Sequence, residues 1–203
     1  MVLMSGEYDM AQARIARFEK VSFEQFEQGW RKAMPGAGKE DIREIYDAIK
    51  LPRRATAASA GYDFFLPADL SLAAGEGALI PTGIRAKMDP GWVLCCFPRS
   101  GLGFKYRLQL DNTVGIIDAD YYGSDNEGHI FCKITCDKKC PNQSAASAGT
   151  QDSRAPRAEA SREAVLQLSA GDAFMQGVFL PYGLTEDDDV ADVRNGGFGS
   201  TDA

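Results

Sequence analysis

Five stretches of this sequence hold residue types that could bind and process a phosphorylated ligand. Gly115-Ile116-Ile117-Asp118-Ala119-Asp120-Tyr121 ends an apolar run in two carboxylates and a tyrosine. An ionised carboxylate only accepts hydrogen bonds, so it can orient a water or a hydroxyl. Pro98-Arg99-Ser100-Gly101-Leu102-Gly103 sets a guanidinium beside glycines whose backbone an anion can approach. Ala60-Gly61-Tyr62-Asp63 and Gly171-Asp172-Ala173-Phe174-Met175-Gln176 each add a polar side chain to a turn that enters a strand. Arg194-Asn195-Gly196-Gly197-Phe198-Gly199-Ser200-Thr201 joins a cation, an aromatic ring and hydroxyls near the C-terminus. Taken singly, each has a plain reading: a turn, a solvated strand end, a glycine-rich loop or a frayed terminus.

The elements that position them follow from patterning. Apolar and polar residues alternate from Ile15 to Val21, which suits a strand. Ser22 with Gln25 three residues on is a capping-box pattern and predicts a helix over 23–33, ended by Pro35-Gly36-Ala37-Gly38. Ile42, Ile45, Tyr46 and Ile49 predict a second helix over 39–49. From Leu51 onward, short apolar runs at 78–80, 83–86, 92–97, 114–117, 130–134 and 174–180 alternate with Gly, Pro, Asp and Asn. That texture belongs to an all-β sandwich or barrel. Residues 137–163 contain no aromatic and almost no large aliphatic residue, so they read as a flexible surface loop.

At 203 residues, with 44% hydrophobic and 25% charged residues, the chain suits one soluble domain. It has no apolar run long enough to span a membrane and no secretory signal at its start. Its net charge of −7 argues against a non-specific nucleic-acid binder, though arginines converging with a cation could still hold a small polyphosphate. An odd count of five cysteines fits a reducing cytoplasm better than a disulfide scaffold. His129, Cys132, Cys136 and Cys140 suggest a zinc site. On a strand, however, Cys132 and Cys136 lie roughly 13 Å apart, too far for metal–sulfur bonds of ~2.3 Å. Cys95 and Cys96 read as core.

In this order, the five stretches resemble the five motifs of the homotrimeric dUTPase family, and Leu51-Pro52-Arg53-Arg54-Ala55-Thr56 resembles its lead-in. The resemblance covers roughly 51–135 and 164–203, plus the N-terminal strand. It implies a mainly β fold, a β-clip or jelly-roll-like barrel, here with an inserted N-terminal helical hairpin at 23–49. The whole of 1–203 would be one domain, with a flexible arm at 186–203. The resemblance further implies hydrolysis of dUTP to dUMP and pyrophosphate with Mg2+, which limits uracil in DNA and supplies dUMP for dTTP synthesis. The active sites would lie at subunit interfaces of a homotrimer.

Residue by residue, the resemblance makes Asp118 the carboxylate that orients the attacking water and sets Tyr121 against the deoxyribose. The uracil slot falls at 112–117, with Asn112 and Ile117 contributing. Arg99, Ser100, Gly101 and Gln176 fall at the phosphates, and Asp63 helps hold a hydrated Mg2+. Arg194 would reach the γ-phosphate and Phe198 would stack on uracil. Gly199 would let the arm wrap, and Ser200 would donate to phosphate. Departures from the family pattern are an enlarged turn, Tyr122-Gly123-Ser124-Asp125-Asn126-Glu127-Gly128, then Ala173-Phe174-Met175, and the ending Asp202-Ala203. A deaminase of the same architecture would need a general acid/base after the third motif, and Glu127 is its candidate. A binding regulator on this scaffold would dock through the hairpin or the 137–163 loop.

Overall fold

The computed structural model describes residues 14–137 and 164–192. Strand β1 (Ala16–Lys20) is followed by α1 (Phe23–Ala33) and α2 (Lys39–Ala48). Next come β2 (Arg53–Arg54), β3 (Tyr62–Phe65), β4 (Leu70–Ala73), β5 (Gly77–Pro81), β6 (Ile84–Met88) and β7 (Trp92–Pro98). Helix α3 (Ser100–Tyr106), β8 (Leu108–Leu110), β9 (Gly115–Ile117) and a 3-10 turn (Ala119–Gly123) precede β10 (Phe131–Cys136). β11 (Ala164–Leu168) and β12 (Ala173–Pro181) complete the mainly β fold. No helix among the described residues is long and apolar enough to cross a membrane.

The strands form a five-stranded sheet in the order β2-β3-β12-β7-β9, a three-stranded sheet β5-β10-β8, and the pairs β1-β6 and β11-β4. The pairings are antiparallel, so each strand turns one set of alternate residues inward. Phe64, Leu94, Ile134, Leu166 and Phe174 meet there in the main core. β12 is bonded by β3 on one side and β7 on the other, so it is the spine of the large sheet.

The helical pair has its own core of Val21, Phe23, Phe26, Trp30 and Ile42, with Ile45, Tyr46 and Ile49 packed against it. Helix α1 spans the expected residues, and Ser22 caps it by accepting from Gln25 N at 3.1 Å. The return half of the capping box departs from expectation. Ser22 N and Ser22 Oγ both donate to the Glu127 carboxylate, at 2.7 and 2.6 Å. Glu127 thus supplies from 105 residues away the acceptor that Gln25 was expected to supply.

His129 lies where the hairpin meets the barrel. It is 0% exposed, its ring is 4.3 Å from Phe131, and its Nε2 accepts from Gly83 N at 2.9 Å. Gly83 has a φ of +72°, and a Cβ there would meet Ile49 and Phe26, so only glycine brings this N–H to the imidazole. Burial pushes the His129 pKa down to about 4, against a smaller opposing pull from Glu127. The folded protein holds the ring neutral, while the unfolded chain protonates it near 6.5. The resulting stability is therefore complete above pH 6.5 and is lost as pH falls towards 4. Chemical denaturation between pH 7 and 4 should show about 3 kcal/mol more loss in the wild-type chain than in His129→Gln, which does not titrate. Parallel pH profiles for the two proteins would refute this assignment.

Candidate active site

Two groups of the expected site residues are separated by the length of β7. In the large sheet Asp63 is opposite Gln176, and Gln176 is opposite Phe97. Directly opposed residues share a face, so Asp63, Gln176, Phe97 and, two residues on, Arg99 all lie on the outer face. Arg99 Nε is 3.4 Å from Asp63 Oδ1, and a Cβ at Gly61 would lie 2.7 Å from Gln176 Oε1. The first, second and fourth motifs therefore form one cluster. Asp118 follows Ile117, which is opposite Leu94. It thus comes level with Val93, six residues from Arg99 and about 20 Å away at ~3.3 Å per residue.

The second motif is not the glycine-rich loop of its plain reading. Ser100–Tyr106 is helical, with Arg99 as its N-cap in extended backbone. Leu102 and Tyr106 pack on the main core and anchor the turn despite its two glycines. Ser100 and Gly101 occupy the first turn, where backbone N–H groups have no partner within the helix and point out of its end. The Asp63 carboxylate pairs with Arg99, and Asp63 sits directly opposite Gln176 in the sheet. Among the described residues no group of three His, Cys, Asp or Glu side chains could hold a metal ion. The zinc reading fails likewise for His129, Cys132 and Cys136, while Cys140 lies outside the described residues.

A cavity of about 610 Å3 lies against the connection between β8 and β9. Asn112, Gly115 and Ile117 line it together with Cys96, Cys132 and Met175. Cys96 is core, as expected, and burial pushes its thiol up to about 12. Asp111 braces this connection by accepting from Thr135 Oγ1 at 2.6 Å and pairing with Lys133 at 3.0 Å. Asn126, which sequence reasoning missed, also lines the cavity. The polar string 124–126 signalled only a turn. Tyr121 is not on this lining. It is 2% exposed, and its hydroxyl donates to the His129 carbonyl at 2.8 Å. It is thus a fixed support beneath the turn after Asp118.

Arg194, Phe198, Gly199 and Ser200 lie outside the described residues. Residues 184–190 just upstream are exposed and form no helix or strand. The outer face of the large sheet carries Val93, Cys95, Phe97, Val178 and Leu180, with Ile116 beside Cys95 at 53% exposure.

Known proteins share this chain's sequence and fold. The dUTPase family model matches residues 47–131. A deoxyuridine 5'-triphosphate nucleotidohydrolase of Lactococcus lactis subsp. lactis is 38% identical over 158 residues, covering 76% of this chain and 89% of that protein. The chain belongs to the dUTPase family. Its fold matches the crystal structure of the Streptococcus mutans dUTPase with a TM-score of 0.54 and 30% identity, over 83% of this chain and 98% of that one. A mutant dUTPase of Staphylococcus aureus phage phi11, described with a structural Mg(II) ion, shares the fold at 21% identity and a TM-score of 0.53, over 89% and 99% of the two chains.

The enlarged turn after Asp118 depends on one glycine. Gly128 has a φ of +70°, and a Cβ there would lie 2.8 Å from both Tyr121 O and Tyr122 Cα. Both obstacles are backbone, so neither can swing aside. Gly128→Ala should lower the unfolding free energy by about 2–4 kcal/mol in urea titrations. A change below about 0.5 kcal/mol would show that the turn has another conformation available.

Proposed function

We propose that this protein is a dUTP diphosphatase that hydrolyses dUTP, carried as its Mg2+ complex, to dUMP and pyrophosphate. The observation that carries the reading is the separation of an Asp63–Arg99–Gln176 anion cluster from the cavity and Asp118 along one strand. Uracil occupies the cavity against Asn112, Gly115 and Ile117. Asp118 orients a water at the α-phosphorus and accepts its proton. A bond forms from the water oxygen to the α-phosphorus, and the bond to the bridging oxygen breaks. Pyrophosphate leaves. Arg99 and Gln176, with the first-turn N–H groups of Ser100 and Gly101, hold the phosphates. The bound Mg2+ supplies charge neutralisation on the triphosphate. Tyr121, buried and pinned at its hydroxyl, cannot yield to a 2'-hydroxyl.

Because the two groups lie about 20 Å apart along β7, one chain does not complete the site. A second copy on the apolar outer face brings its Asp118 to the Arg99 cluster of the first. The homotrimer that the family resemblance implies would close such head-to-tail contacts into a ring with interfacial sites. The arm, with Arg194, Phe198, Gly199 and Ser200, closes over triphosphate and base and excludes water. Buried free cysteines fit a reducing cytoplasm. No nucleic-acid or membrane partner is required.

Pyrophosphate release from dUTP, UTP, dTTP and dCTP, with and without Mg2+, tests the reading. dUTP should be turned over at least 100-fold faster than the others. Asp118→Asn should lose at least 100-fold in kcat while binding dUTP within a few-fold of wild type. Equal turnover of UTP and dUTP, or a fully active Asp118→Asn enzyme, would contradict it.

A further inference from the structure

The enlarged turn after Asp118 contains one carboxamide whose hydrogen-bonding capacity is only partly used. Asn126 Oδ1 lies 3.2 Å from Gly128 N. A backbone N–H only donates, so that atom is the oxygen and the other is the nitrogen. Asn126 Nδ2 donates to Tyr121 Oη at 2.8 Å, and the Tyr121 hydrogen goes on to the His129 carbonyl. Ser124 Oγ sits 2.7 Å from both Asn126 Oδ1 and the Tyr121 carbonyl. The oxygen is therefore occupied, and one of the two amide hydrogens is not. The same residue lines the cavity with Asn112, Gly115 and Ile117.

We propose that Asn126 is a specificity-determining residue whose remaining Nδ2–H donates to O4 of uracil in this cavity. The inference rests on the cavity being the base slot. Position 4 is where uracil presents an acceptor and cytosine an amino donor. To serve cytosine the amide would have to flip. Its NH2 would then face the Gly128 N–H, and its oxygen would face a tyrosine hydroxyl whose hydrogen is already given away. The turn thus holds a donor that cannot become an acceptor, and leaving such groups unpaired penalises the wrong base. Asn126 lies in the part of the chain where the turn exceeds the family pattern, so the added residues would have a task of their own in selecting the substrate.

Steady-state kinetics on dUTP and dCTP test this with Asn126→Asp and Asn126→Ala, alongside Ser124→Ala, which loosens the turn without removing the donor. Folding is checked by thermal melts. Asn126→Asp should raise KM for dUTP about tenfold, leave kcat within about threefold, and shrink the dUTP/dCTP ratio of kcat/KM at least tenfold. Ser124→Ala should keep the wild-type ratio. Folded Asn126 variants that retain the wild-type ratio would overturn the proposal. So would a Ser124→Ala ratio that shrinks as far as theirs, which would make the role purely structural. A crystal structure of the unaltered protein with a non-hydrolysable dUTP analogue gives a second test independent of any variant's folding. Nδ2 should lie about 3 Å from O4, and a separation above about 4 Å would overturn the assignment. If the wild-type chain releases no pyrophosphate from dUTP, the functional reading itself fails. If it does and the ratio is unmoved, only the Asn126 inference fails.

Discussion

The pairing of β7 between β12 and β9 is the constraint on which the rest of the structure depends. Backbone hydrogen bonding fixes both registers, and a one-residue slip would turn every side chain of a strand to the other face. In the observed register Leu94 and Cys96 face the core, while Val93, Cys95 and Phe97 face outward. The same pairing aligns Gln176 between Asp63 and Phe97 and sets Gly115 against Cys96, where both line the cavity. It also fixes the distance between Arg99 and Asp118. No side-chain rotation spans six residues of strand, which is why the proposed site draws its two halves from different copies of the chain.

Around this frame, the turn after Asp118 is held from several sides. Glu127 caps α1 through Ser22, Tyr122 Oη donates to Glu19 at 2.7 Å, and the Tyr121 hydroxyl reaches His129. The Arg85 guanidinium lies 4.5 Å from the centre of the Tyr122 ring. The helical pair is thereby tied to the same segment that carries Asp118 and Asn126. A rigid turn suits a reaction in which positioning a water and a base does most of the work. It also makes the hairpin at 23–49 a brace for the site, whatever else binds it.

Much of this was legible in the sequence because local rules decide it. Ser22 and the Pro35-Gly36 break gave the bounds of α1, and short apolar runs between glycines and prolines marked β5, β6, β7, β9, β10 and β12. The structure brings Asp63, Arg99 and Gln176, from the first, second and fourth motifs, to one face of the large sheet. What escaped has non-local causes. Helix α3 forms although Gly101 and Gly103 disfavour it, because Leu102 and Tyr106 bury themselves. The Glu127 partner is 105 residues from its carboxylate, and burial sets the neutrality of His129. The pairing of Asp63 with Arg99 and the inward turn of Tyr121 are likewise decided by packing, which the residue types do not reveal.

The central claim is that Asp118 and the Arg99 cluster serving one substrate come from different chains. Subunit complementation tests it most directly. Arg99→Ala and Asp118→Asn proteins, each inactive alone, would be mixed, dissociated and reassembled, and dUTP hydrolysis then measured. The account predicts that activity returns in the mixed oligomers, because some interfaces pair an intact Asp118 with an intact Arg99 cluster. Mixed oligomers that form but stay as inactive as their parents would contradict it.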